Sequence, residues 1–140
     1  MHILLIGCGR SGRHLVKLFT EQGLDVIVVD RDRERLDRIA DLNVEMVAGY
    51  PIDIEILETA GIRQAAAVIA MDENENTNIM VCEIAQKIYD IKYCLARVYS
   101  PENEEFVRSL GISPICATSL TVDKTIEILG LQDNNIDLGV

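Results

Sequence analysis

The chain has 140 residues, of which 49% are hydrophobic, 26% charged and only 4% aromatic; that is one domain's worth of sequence with enough apolar content for a core, which excludes intrinsic disorder. Its 13 Lys and Arg stand against 23 Asp and Glu, a formal net charge of −10, so phosphodiester backbones are repelled and nucleic acid is not expected as a partner. No apolar run approaches the ~20 residues needed to cross a bilayer, and without a basic start or a cleavage site the N-terminus is not expected to be a signal peptide.

Apolar runs of strand length recur at residues 3–6, 26–29, 44–48, 66–71, 93–98 and 112–116. Several are apolar throughout, the pattern of parallel strands covered on both faces. Between them lie segments of helical spacing: Leu15, Leu18 and Phe19; Leu36, Ile39 and Ala40; Val81, Cys82, Ala85 and Ile88; and Val122, Ile126 and Leu129. Pro51 and Pro101 stand at or near helix starts, and Gly23, Gly61 and Gly111 where helices should end. Six strands alternating with helices predict an α/β fold, a doubly wound parallel sheet of Rossmann type. The domain is expected over residues 1–130, with 131–140 a hinge-like tail in which Asp133-Asn134-Asn135 is turn chemistry.

Chemistry concentrates after the first strand. Gly7-Cys8-Gly9-Arg10-Ser11-Gly12 spells GxGxxG, a pattern that is weak alone and specific where it follows a strand and opens a helix. Gly7 permits the tight turn, Gly9 lets a pyrophosphate approach the backbone, and Gly12 lets the helix pack closely on the sheet. Amides at the helix N-terminus then face the phosphates. Asp30 closes the second strand, where an acid accepts the hydroxyls of a ribose diol and repels a 2′-phosphate, favouring NAD or an adenine nucleotide over NADP. Arg31 is either a partner for that extra phosphate or a solvated member of the mixed-charge run 30–38. Arg10 lies inside the loop, placed to pair with phosphate oxygens. Arg97, among Leu95, Ala96 and Val98, either meets a ligand at the crevice or joins a structural ion pair. The stretch from Met71 and Asp72 to Asn78 is read both as a ligand contact and as a loop leading to a helix capped by Asn76 or Thr77.

Catalytic signatures are missing. Tyr89-Asp90-Ile91-Lys92 is YxxK, short of the Tyr–Lys spacing used by short-chain dehydrogenases; no histidine follows His14, and neither GxSxG nor a GK[ST] phosphate loop occurs. The protein is not expected to be an enzyme. Cys8, Cys82, Cys94 and Cys116 have no metal-site spacing and read as buried, reduced thiols of a cytoplasmic protein. His2 and His14 have no partner cluster, so no metal is expected.

Together the Gly7–Gly12 loop with Arg10, Val29-Asp30-Arg31-Asp32, Leu57-Glu58-Thr59-Ala60-Gly61-Ile62, Glu75-Asn76-Thr77-Asn78, Ala96-Arg97-Val98 and Leu110-Gly111-Ile112 resemble the N-terminal RCK (KTN, TrkA-N) domain of potassium-uptake and potassium-channel regulators. The resemblance runs over residues 1–129. It implies a strand order of 3-2-1-4-5-6 and a cytosolic nucleotide sensor that binds NAD(H) or ATP, ADP or AMP. It further implies self-association as dimers and octameric rings, at the inner face of the membrane beneath a potassium transporter or channel subunit. By position it assigns the phosphates to Gly7, Cys8, Gly9, Arg10, Ser11 and Gly12, with Arg97 nearby, and the ribose to Asp30. Arg31 falls near the adenine, and Met71 and Asp72 along the crevice.

Two departures stand out. Gly49-Tyr50 replaces the family's Gly-Asp, leaving Tyr50 to stack on the base or to cap the sheet edge, and Glu75-Asn76-Thr77-Asn78 replaces Asp-Glu-Thr-Asn. The smaller C-terminal RCK subdomain is expected to be absent. The helix around 122–129 is read either as a dimer-crossing element or as packed on its own sheet. The competing functional reading is the coenzyme-binding portion of an NAD-dependent oxidoreductase that lacks its catalytic part.

Overall fold

The computed structural model describes residues 1–131, so the expected tail lies, apart from Leu131, outside the described residues. Strands and helices alternate as β1 (His2–Ile6), α1 (Arg10–Glu21), β2 (Val26–Asp30), α2 (Arg33–Asp37), β3 (Glu45–Ala48), α3 (Ile54–Thr59), β4 (Ala65–Ala70), α4 (Glu75–Lys87), β5 (Tyr93–Val98), α5 (Glu102–Ser109), β6 (Ser113–Cys116) and α6 (Ala117–Leu129). The strands form one parallel sheet in the order β3-β2-β1-β4-β5-β6. Each strand matches its expected run to within a residue at either end. The direction of winding reverses between β1 and β4, whose registers place Ile6 beside Ala70. In open α/β sheets, ligands bind beyond the carboxyl ends of the strands at such a reversal.

Apolar side chains cover both faces of the sheet, as the unbroken runs require. Leu4, Ile6, Val68 and Ala96 pack with Leu57, Ile62, Val81 and Val107 from α3, α4, α5 and the turn after α3. Leu5, Val28 and Ile69 pack on the opposite face with Val16, Leu36 and Ile39, from α1 and from α2 and its following turn. Each such fully buried aliphatic side chain contributes roughly 1.5–3 kcal/mol. The edge strand β3 departs from the expectation, with Glu45 and Met46 exposed.

The helical faces differ in detail from the spacing. In α1 the buried positions are Gly12 and Val16, flanked by half-buried Leu15 and Phe19, while Leu18 is 49% exposed. Close contact at Gly12 rotates the helix so that the smallest side chain faces the loop before it. Ile88 just past α4 is also exposed, and α4 begins at Glu75 with Asn74 as its cap, not Asn76 or Thr77: Asn74 Oδ1 accepts the amide of Thr77 at 3.2 Å. Gly23, Gly61 and Gly111 do follow helices or their last turns, all at positive φ. Helix α6 has no buried residue at all, so the alternative of packing on its own sheet does not hold for its apolar stripe.

Candidate functional site

The loop from Gly7 to Gly9 leaves β1 and enters α1 across the sheet's point of reversal. Gly7 has φ +93°, and a Cβ there would sit 2.7 Å from the backbone nitrogen of Asp72; one on Gly12 would sit 2.2 Å from the carbonyl oxygen of Gly7. No side chain fits at either place. At Gly9 the geometry is the reverse, since a Cβ would meet nothing within 4 Å. The loop is therefore packed against β4 at one end and against α1 at the other, and open between.

That opening lies at a helix N-terminus that the chain leaves unsatisfied. Helices α2, α3 and α4 are capped by Asp32, Asp53 and Asn74, whereas no side chain caps α1, α5 or α6. Of these three, α5 has acids in its first turn while α1 and α6 have none, so α1 is distinguished by starting at the glycine loop on the sheet's point of reversal. Free amides and the positive end of the helix dipole thus point at empty space, an arrangement that fits phosphate groups.

Asp30 fixes the loop from the β2 side. Its Oδ2 accepts the amide of Cys8 and its Oδ1 the amide of Asp32, both at 2.8 Å. Arg35, which sequence reasoning left inside a solvated charge run, reaches back from α2 to within 3.9 Å of Asp30 Oδ2 and also pairs with Glu73 beyond β4. The Asp30 side chain is only 1% exposed. Burial, and then the Asp30 carboxylate, pushes the Cys8 thiol up to about 11. All four cysteines are buried and free.

On the β4 side, Asn78 is wholly buried. Its Oδ1 accepts the amide of Asp72 at 2.8 Å, and its Nδ2 donates to the carbonyls of Asp72 at 2.9 Å and Arg97 at 3.0 Å. It stitches the end of β4 to β5 and holds the backbone against which Gly7 packs. The acidic and amide stretch that follows is engaged with the protein itself: Glu75 accepts the amides of Tyr99 and Ser100 and the side-chain amide of Asn103. Nothing in the sequence separates Asn78 from its exposed neighbour Asn76 except helical phase, which puts residue 78 inward.

Arg97 Nη2 donates to the carbonyl of Met71 at 2.8 Å and its guanidinium lies over Tyr99, 5.4 Å from the ring centre. Among the described residues it makes no ion pair. It lines, with Arg10, Ser11 and Met71, a cavity of about 590 Å³ whose other walls include Leu15, Leu18, Ile115 and Leu120. Arg31 and Tyr50 meet on the β2–β3 side, the guanidinium 5.8 Å from the ring centre. The fold thus gathers Gly7–Gly12, Asp30, Met71, Asp72 and Arg97 about the reversal, with Arg31 and Tyr50 as a separate pair on its flank. Among the described residues no group of three or more His, Cys, Asp or Glu could hold a metal ion.

The TrkA-N domain model matches residues 3–118. The Trk system potassium uptake protein TrkA of Streptomyces coelicolor is 32% identical over 130 residues, which are 92% of this chain and 58% of that protein. The chain thus spans about three fifths of the relative's length. Among solved structures, the TrkA-N domain of the inner membrane protein YbaL from Escherichia coli superposes with a TM-score of 0.82 at 22% identity, covering 91% of this chain and 96% of that one. The GsuK channel bound to NAD superposes with a TM-score of 0.75 at 19% identity, covering 91% of this chain and 23% of that one.

Proposed function

The chain belongs to the TrkA-N domain family, and on that premise we propose that it is the nucleotide-sensing regulatory module of a potassium-transport system, binding NAD(H) or an adenine nucleotide where β1, β2 and β4 end. The observation that carries this reading is the uncapped N-terminus of α1 facing the open approach at Gly9. The module works by binding rather than by turnover, at the cytoplasmic face of the membrane. The name of the Streptomyces relative, a potassium uptake protein, supports the transport assignment, and the NAD-bound GsuK channel supports the ligand class.

The parts divide by chemistry. Amides of the Gly9–Gly12 turn take the phosphates, with the guanidinium groups of Arg10 and Arg97 close by. Asp30 takes the ribose diol, and its charge disfavours a 2′-phosphate. Arg31 and Tyr50 offer a stacking surface to the adenine. A ligand shifts a regulatory equilibrium only through unequal affinity for two states, and the Arg35–Glu73 pair, which spans from α2 to the turn after β4, is the contact that an occupied ribose site would disturb. Self-association through α6, whose Leu120, Val122, Ile126, Ile128 and Leu129 are all exposed, would join such modules beneath a potassium transporter or channel subunit.

Calorimetric titration with NAD, NADH, NADP, ATP, ADP and AMP tests the reading. Binding of NAD(H) or an adenine nucleotide in the micromolar range, weakened in Asp30→Ala, is expected. Absence of binding to all six ligands would remove the sensor assignment and leave only the fold.

A further inference from the structure

A second concavity, of about 290 Å³, lies between α1 and the segment that follows α2, lined in part by Arg13, His14, Lys17, Arg38 and Asp41. Its charge runs against that of the chain. In a protein of net charge −10, three permanent cations and a histidine gather here around one acid. Helix α1 supplies most of them: Arg13, His14 and Lys17 lie along it, and Glu21 is its single acidic residue.

These cations are also unpartnered. Among the described residues Arg13, Lys17 and Arg38 hold no ion pair, as is also true of Arg10, Arg31, Arg33, Lys92 and Arg97; the groove is set apart by having three such cations along one concavity. The Nε of Arg13 is shut away from solvent without any hydrogen-bond acceptor. A buried N–H of a charged group left in this state is unfavourable and marks a missing partner. Guanidinium groups converging from two elements, with an ammonium beside them, match an anion that offers several oxygens in a tetrahedral array.

We propose that this groove is a second anion site, separate from the crevice at Gly9, that takes a phosphoryl group. The phosphoryl group is carried either by a free phosphorylated metabolite or by a lipid headgroup. Arg13 and Arg38 grip it and Lys17 adds charge, against the single acid of the lining, Asp41.

The test uses the full chain labelled with ¹⁵N and titrated with inorganic pyrophosphate, following backbone amides and arginine Nε–H resonances. Saturable shifts of the Arg13 and Arg38 Nε–H signals and of amides 13–17 are expected. The double variant Arg13→Gln/Arg38→Gln should weaken that response about tenfold or more, while any response of amides 7–12 persists; the crevice reading and this one thereby fail separately. Shifts confined to amides 7–12, or a double variant that binds as wild type, overturn the site. A parallel flotation assay with phosphatidylglycerol and phosphatidylcholine vesicles separates the two sources. Retention on phosphatidylglycerol that is lost in the double variant assigns a lipid headgroup, and pyrophosphate shifts without such retention assign a free ligand. If neither pyrophosphate shifts nor vesicle retention is seen, the proposal is overturned.

Discussion

The carboxylate of Asp30 accepts the amide of Cys8 at 2.8 Å, across 22 residues of chain. A residue expected to meet a ribose thus also holds the glycine loop in shape, and the two roles are separable by substitution. Asp30→Asn keeps one acceptor but turns an NH₂ toward the amide of either Cys8 or Asp32. It is expected to lower stability by about 1–3 kcal/mol, read as a shifted urea midpoint in the absence of any ligand.

Gly9 and Gly12 should respond in opposite ways to the same added methyl. Gly9→Ala has room and is expected to melt within ~2 °C of wild type, yet to lose nucleotide binding in the calorimeter because the methyl occupies the phosphate approach. Gly12→Ala drives a methyl into the Gly7 carbonyl and is expected to lose about 3 kcal/mol or more.

Replacing Asn78 by Ala removes three hydrogen bonds and strands the amide of Asp72 and the carbonyl of Arg97 in the interior. A loss of about 2–4 kcal/mol is expected, measured by urea unfolding. Asn76→Ala, on the exposed side of the same helix, should fall within ~0.5 kcal/mol of wild type.

Cys8 gives a pH signature. Its thiol titrates near its ordinary value when unfolded and at about 11 when folded, so the unfolded state loses its proton first as pH rises. Stability from this group is intact below pH ~9 and falls by roughly 2–3 kcal/mol as pH passes through 11. The difference between wild type and Cys8→Ala in chemical unfolding, followed from pH 8 to 11, should narrow along that course.

If α6 joins two copies, charges on its apolar stripe should part them. Leu120→Asp/Ile128→Asp is expected to sediment as a monomer under conditions where wild type is a dimer, with unchanged far-UV circular dichroism. Both side chains are exposed in the isolated chain, so the substitutions leave its own core intact.

Strand positions and the loop were legible because both rest on local composition: an apolar run of five residues, then glycines at fixed offsets. The phase of α1 was not, because Gly12 counts for nothing in a hydrophobic pattern and yet dictates which face approaches the sheet. Nor was the role of Arg35, whose partners Asp30 and Glu73 come from other elements and whose neighbours in sequence look like an ordinary solvated run. Asn74 outcompeted Asn76 and Thr77 as the cap for the same reason, since the buried bonds of Asn78 set where α4 must begin. Local chemistry announces a binding loop; which side chains brace it is decided by what the topology brings alongside.

The contact of Gly7 with the backbone of Asp72, too close for even a methyl group between them, makes the ends of β1 and β4 a single stiff hinge plate. Neither turn can slide past the other without a backbone clash. Pressure on either turn is therefore passed to the other through backbone alone, with no side-chain rotamer between them to absorb it.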